Sequence, residues 1–214
     1  ISDNHELLSK ISVERIRDEF VKMGIAPGSQ KAFQVFLDTG LSEEVPGFRD
    51  KKENLALYPQ LNFSPTNEAN LWALMIILLK LPNDKIPHFM RMWKNSNAME
   101  RQVADIVAFF DLISSHAPNN YDLYKAGLET IVSTIDLAHI LGQPVNGRAL
   151  VDSYEALPIK NNRDLVVDGH FLLKNGIPAG PRVGLLLEEI KKAVLEGVIS
   201  NNEAAITEFI SLNH

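Results

Sequence analysis

Phe171-Leu172-Leu173-Lys174-Asn175-Gly176-Ile177-Pro178-Ala179-Gly180-Pro181-Arg182-Val183-Gly184-Leu185-Leu186-Leu187 is the stretch on which the reading of this chain turns. Its apolar start runs into Lys-Asn-Gly, a helix C-terminus followed by a glycine that can take positive φ. Gly180-Pro181 then opens a second apolar helix with proline at its first position, where the missing N–H costs nothing. Two helices joined by a glycine corner make an all-α unit, with Ile177 and Val183 placed to plug it. The same corner turns backbone N–H groups outward at the positive end of a helix dipole, which suits an anion such as a nucleic-acid phosphate. Arg182 stands at the rim, and Gly184 leaves out a side chain where a partner must come close. A corner that only packs is the alternative.

Outward from the corner, the same signs predict helix almost throughout. Ser12 opens a helix whose Val13, Ile16, Phe20 and Met23 share one face, with Gly24 as its stop. Ser29 is placed to cap the next helix, which runs through Phe33, Phe36 and Leu37 to Gly40. Leu41 to Phe63 is mostly loop with a short helical turn. Ser64-Pro65 offers a cap and an N1 proline before Glu68 to Leu79, which is apolar all round and so the most buried element. Asn83 caps a helix through Phe89 and Trp93, and Asn97 with Glu100 makes a cap-plus-N3 pair for the one after. His116-Ala117-Pro118-Asn119-Asn120 is the internal boundary. Beyond it come a long helix to Leu141, one opened by Asn146, the glycine corner, and a last helix from Asn201 or Asn202. Without strand alternation or repeats, the expectation is roughly ten helices in two helical subdomains.

Composition bounds the function. With 214 residues, 45% of them hydrophobic, the chain can bury one large core or two small ones. Its lack of cysteine excludes disulfides and thiolate metal sites and fits a reducing cytosol. The longest apolar run, Leu71 to Leu79, is too short for a bilayer, and no basic-then-apolar leader is visible, so the expectation is a cytoplasmic protein without membrane contact. A start at Ile1 rather than Met suggests a piece of a longer protein or a processed one. The net charge of −6 argues mildly against a dedicated nucleic-acid binder, yet Lys80, Lys85, Arg91, Lys94 and Arg101 form a basic stretch amid it.

Catalytic patterns are missing. None of His5, His88, His116, His139, His170 and His214 pairs with a carboxylate at metal spacing, and no Gly-x-Ser-x-Gly or Walker loop occurs. Glu43-Glu44 and Glu188-Glu189 are adjacent, so on a helix they diverge. No catalytic residue, metal site or cofactor is therefore expected in this chain. One segment is unusually dense in charge, Glu14-Arg15-Ile16-Arg17-Asp18-Glu19. Arg15 and Glu19 face each other four residues apart and attract, while Glu14 and Asp18 repel. This is either a solvated helix face or a brace against a neighbouring domain.

Leu165-Val166-Val167-Asp168-Gly169-His170-Phe171-Leu172-Leu173, then Gly176-Ile177-Pro178, Gly180-Pro181-Arg182-Val183-Gly184, Leu187, Ala193-Val194-Leu195-Glu196-Gly197 and Asn201 resemble the tail of bacterial class II CCA-adding tRNA nucleotidyltransferases. Leu8-Ser9-Lys10-Ile11-Ser12-Val13-Glu14-Arg15-Ile16-Arg17-Asp18-Glu19-Phe20 is similar to that family's motif E helix, and Phe36-Leu37-Asp38-Thr39-Gly40-Leu41 with Pro46-Gly47 to its continuation. The two matches stand in the right order near the two ends. Between roughly Leu55 and Asn146 the likeness is only one of helical character.

The resemblance implies an all-α fold of elongated body and tail subdomains, of the tRNA nucleotidyltransferase / poly(A) polymerase C-terminal type. It divides the chain into the end of the neck (1–24), a helical body (25–118) and a tRNA-anchoring tail (119–214). It implies a parent that adds CCA to tRNA 3′ ends from CTP and ATP with Mg²⁺, through a catalytic head whose Gly-Gly, Asp-x-Asp and Glu-Asp-x-x-Arg motifs are absent here. This piece would be inactive alone, holding the tRNA acceptor stem and TΨC arm by shape and backbone. Glu14, Arg15, Arg17 and Glu19 would brace the nucleotide-selecting neck. Lys174, Gly176, Gly180, Pro181, Arg182, Gly184, Lys191 and Lys192 would lie against tRNA. The resemblance leaves room for a homodimer of the full-length enzyme. The alternatives are an A-adding, CC-adding or poly(A) polymerase relative, a free-standing helical nucleic-acid-binding module, and a purely helical scaffold.

Overall fold

The computed structural model describes residues 10–213, so Ile1, Leu8, Ser9, His5 and His214 lie outside the described residues. Among the described residues there is no strand. The chain forms two compact units. The first comprises the residues up to Ser115 together with Glu129–Gly147, and the second comprises His116–Leu128 together with the residues from Arg148 on.

In the first unit, α1 (Val13–Ile25) is capped by Ser12, whose hydroxyl accepts the Arg15 N–H. It does not stop at Gly24. That residue lies inside the helix, and a Cβ on it would sit 2.6 Å from Cδ2 of Leu71, so the glycine lets the α1 backbone press on the next layer. The free carbonyl of Gly24, in the last turn, accepts the Tyr58 hydroxyl at 2.7 Å. α2 (Ser29–Asp38) starts one residue earlier than a Ser29 cap would place it. Gly28, left-handed at φ 74°, precedes the helix, and the Ser29 hydroxyl is buried, 2.9 Å from the Tyr58 hydroxyl and donating to Ser64. The 41–63 stretch holds three short helical pieces, Leu41–Glu44, α3 (Lys52–Leu55) and Tyr58–Gln60, where a single turn was expected.

α4 (Glu68–Leu78) is the centre of this unit, with nine of its residues buried. Its cap is Asn67, which accepts the Asn70 N–H, and not Ser64-Pro65; Ser64 instead joins the polar cluster around Ser29. A short turn Asn83–Lys85 leads to α5 (Ile86–Met92), and Asn83 makes no side-chain cap. α6 (Asn97–Ser115) is capped by Ser96, whose hydroxyl accepts the Met99 N–H, one residue before the Asn97 expected. The core is aromatic. Phe20 meets Phe33, Phe36, Phe48, Trp72 and Trp93 at centroid distances of 5.0 to 6.1 Å. Such edge-on and tilted pairs each add about 0.5–1.5 kcal/mol beyond the area they bury.

The long helix expected up to Leu141 is α7 (Asn120–Ile140), and it is broken at Gly127 (φ 72°, ψ 160°), a conformation open essentially to glycine alone. Its two halves belong to different units. The second half closes the first unit, where Leu137, Ala138 and Ile140 join the core. The first half belongs to the second unit with α8 (Gly147–Glu155), α9 (Gly169–Lys174), α10 (Pro181–Leu195) and α11 (Glu203–Asn213). Asn202 caps α11 by accepting the Ala205 N–H. Asn201 staples the approach to α9, donating to the Asp164 carbonyl and accepting the Val166 N–H.

Candidate nucleic-acid interface

The α9–α10 corner forms by local chemistry. Asp168 caps α9 through the Phe171 N–H. At the other end Gly176 takes φ 87°, its N–H bonding the Leu173 carbonyl while the Ile177 N–H reaches back to Leu172. This double bond pattern is a Schellman cap, with Ile177 and Leu172 both buried beneath it. Gly180 (φ 148°, ψ −172°) then turns the chain into α10, with Pro181 in its first turn and no side chain capping the N-terminal amides. Val183 is half-buried, 3.4 Å from where a Cβ on Gly169 would stand. Lys174, Gly176, Gly180, Pro181, Arg182 and Gly184 are all exposed, and a Cβ on Gly184 would meet nothing within 4 Å. The outer face of the corner is open.

Lys191 and Lys192 separate. At 100° per residue, Lys192 falls within about 80° of Arg182 around α10, whereas Lys191 falls about 180° away. Lys191 is accordingly buried. Its ammonium pairs with Glu188 and lies 5.4 Å from the Tyr124 ring centroid, so it departs from the expected surface position. The hydrogen bond from Lys191 holds the Glu188 carboxyl below the usual carboxylate value. Lys192 is exposed, its ammonium 4.8 Å from the centroid of Tyr121. In the second unit Arg148 pairs with Asp152 and Lys160 with Glu155, while Lys125, Lys174, Arg182 and Lys192 make no ion pair among the described residues.

On α1 the pairing also differs from the spacing rule. Glu19 bonds Lys22 at 2.9 Å and not Arg15, and Arg17 holds Asp18 at 2.8 Å. Sequence reasoning missed the other partner of Arg17, the carbonyl of Lys94 at 2.7 Å. Lys94 has φ 55°, a strained turn that no residue pattern announces. Arg15 and Glu19 border an apolar groove of about 340 Å³ lined by Ile11, Ile16, Phe20, Met23, Phe36, Leu41 and Val45. Glu14 is exposed. Among the described residues no three His, Asp or Glu side chains converge on a metal position, and no helix is long and apolar enough to cross a membrane.

Residues 63–210 match the family model for tRNA nucleotidyltransferase domain 2, and residues 1–51 match "Probable RNA and SrmB- binding site of polymerase A". The chain is 98% identical over all 214 residues to the CCA-adding enzyme of Lactobacillus johnsonii and 90% identical to that of Lactobacillus gasseri. The CCA-adding enzyme of Lactobacillus helveticus is 60% identical over 98% of the chain. The chain spans 54% of the length of the first two and 53% of the third. The crystal structure of the Bacillus stearothermophilus CCA-adding enzyme in complex with CTP superposes with a TM-score of 0.91 at 29% identity, over 99% of this chain and 55% of that one. With the all-helical fold, the glycine corner and a family model running from α4 into α11, this chain belongs to the tRNA nucleotidyltransferases of the CCA-adding type.

Proposed function

We propose that this chain is the tRNA-holding part of an enzyme that adds CCA to tRNA 3′ ends from CTP and ATP, working in the cytoplasm. The observation that carries the reading is the open α9–α10 corner, set in a chain 98% identical to a CCA-adding enzyme. In this reading the body (25–118) falls mostly in the first unit and the tail (119–214) mostly in the second, with Glu129–Gly147 of the tail in the first unit and α1, also there, as the end of the neck. Arg182, Lys174 and Lys192 face backbone phosphates, and Gly176, Gly180 and Gly184 let the RNA backbone approach the first-turn amides of α10 behind Pro181. Lys191, tied to Glu188, supports α10 from inside rather than touching RNA.

The apolar groove beside Arg15 and Glu19 receives apolar side chains of the neck, from the part of the relatives that this chain does not span. Glu14 joins that brace at the rim, and Arg17 fixes α1 to the turn at Lys94. The parent's phosphoryl transfer draws on Mg²⁺. The described residues do not fit a two-metal site, so no catalytic step is assigned to them. A homodimer of the whole enzyme is compatible with these roles.

Filter binding of the 214-residue chain to a tRNA minihelix of acceptor and TΨC stems tests the reading. Binding weakens with salt, and Arg182→Glu costs about tenfold or more, the worth of a charge-assisted contact of about 1.5 kcal/mol. Salt-independent binding, or an Arg182→Glu protein that binds as the parent does, sinks it. The match over residues 1–51 favours a poly(A)-polymerase-type parent as second reading. Sequencing the 3′ ends made by the full-length protein distinguishes CCA, CC, A and poly(A) products.

A further inference from the structure

We propose that Tyr121, Lys125 and Lys192 form a phosphate clamp in the second unit, a second contact point for an RNA backbone beyond the α9–α10 corner. The proposal rests on the RNA-holding reading above and adds residues to it. Tyr121 lies in the first half of α7, and its ring carries two cations. Lys192 Nζ is 4.8 Å and Lys125 Nζ 5.7 Å from its centroid. The two ammonium groups therefore lie no more than about 10.5 Å apart, although they come from helices distant in sequence.

The ring is held in place independently of those lysines. The Tyr121 hydroxyl donates to Glu188 Oε2 at 3.2 Å, and its N–H donates to Glu196. The neighbouring Asn120 side chain donates to the Leu195 carbonyl at 2.7 Å, pinning the start of α7 to the end of α10. The nearby carboxylates are already engaged. Glu188 takes Lys191 and the Tyr121 hydroxyl, Glu196 takes the Tyr121 N–H, and Asp122 takes the Asn119 N–H. Lys125 and Lys192, both exposed, are left with the ring and no ion-pair partner among the described residues. Two like charges gathered on one rigid ring, with only Lys192 partly offset by the Glu188 carboxylate that Lys191 already holds, suit an anionic chain that brings successive phosphates. Arg182 is ten residues from Lys192, about 15 Å along α10, so corner and clamp lie along one side of that helix.

The test is binding of the tRNA minihelix by fluorescence anisotropy between 50 and 200 mM salt, with melting by circular dichroism as a folding control. Removing one phosphate-neutralising charge lowers the slope of log K against log salt by about one. Over this fourfold salt range Lys125→Gln then loses about 3.5-fold less affinity than the parent chain. Tyr121→Leu, which keeps both lysines but removes their platform, gives a similar fall in slope, and Tyr121→Phe keeps the parent slope. Parent slopes in both Lys125→Gln and Tyr121→Leu, while Arg182→Glu still weakens binding, overturn the clamp and leave the corner standing. Parent slopes in both of those variants, together with an Arg182→Glu protein that binds as the parent does, overturn the RNA-holding reading itself. If Tyr121→Leu does not fold, Lys125→Gln alone decides, since that side chain is exposed.

Discussion

Alanine at Gly24 pits helix propensity against packing. Inside a helix, alanine is worth about 1 kcal/mol over glycine. Against that, the new Cβ stands 2.6 and 2.7 Å from the two methyl carbons of Leu71, where carbon atoms rest at about 3.5–4.0 Å. Leu71 is fully buried and cannot swing its methyls into water, so the overpacking costs about 1–3 kcal/mol. The steric term wins, and Gly24→Ala loses about 1 kcal/mol net. Leu71→Ala alone opens a cavity and costs about 2–5 kcal/mol. Together the two changes relieve each other: the clash vanishes and the propensity gain remains. The double variant is then about 1 kcal/mol more stable than Leu71→Ala, with a coupling far beyond the roughly 0.3–0.5 kcal/mol of independent sites. Urea unfolding followed by tryptophan fluorescence reads this directly, because Trp72 and Trp93, the only two tryptophans, both sit in the first unit's core. With a slope near 2 kcal/mol/M, each kcal/mol moves the midpoint by about 0.5 M. A Gly24→Ala protein more stable than its parent, or strict additivity in the double variant, refutes the close approach of α1 to α4.

Tyr58→Phe strips the donor from the Gly24 carbonyl and is expected to cost about 1–3 kcal/mol, measured by the same unfolding. Burial pushes the Tyr58 hydroxyl up to about 12, so Tyr58 ionises late in an ultraviolet titration; an unchanged titration of Tyr58→Phe would contradict this. Asp164, accepting the Lys160 and Asn161 N–H groups, has its carboxyl held below the usual value. Its contribution to stability is complete above the unfolded carboxylate range and drains as the pH falls through the lowered folded value. Carboxyl NMR should give Asp164 a midpoint under that of an ordinary aspartate, and one at or above it would count against these bonds. Lys191→Gln should lower the melting temperature and leave the salt slope of RNA binding untouched; a slope reduced by about one would put Lys191 on the RNA after all.

Features set by the local backbone were legible. The Gly176 cap, Gly180-Pro181 and the all-round apolar α4 follow from steric and solvation demands that act within a few residues. The misplaced caps share a tertiary cause. Ser29 had the right side chain for a cap, but Tyr58 and Ser64 take its hydroxyl into the interior. Gly24 looked like a stop and is instead a close-approach site, because what it avoids is Leu71, 47 positions away. Gly127 carried no sign distinguishing a break from a tolerated helical glycine. In the candidate interface, residue type alone could not separate Lys191 from Lys192; their angle around α10 does. The long-range bond from Arg17 to a main-chain carbonyl has no sequence signature.

The first unit is discontinuous, and its missing piece, Glu129–Gly147, arrives after a stretch owned by the second unit. During synthesis from the N-terminus, the first core cannot be sealed by Leu137, Ala138 and Ile140 until the ribosome has passed Gly147. By then His116–Leu128 has been made, while Leu195, Glu188 and Glu196, which Asn120 and Tyr121 must meet, have yet to be added. At the roughly 5–20 residues per second of translation, that segment waits for several seconds with its partners unborn. Cutting the chain at Pro118 would strand the sealing piece in the wrong half, so dissection there yields an unsealed core rather than two domains.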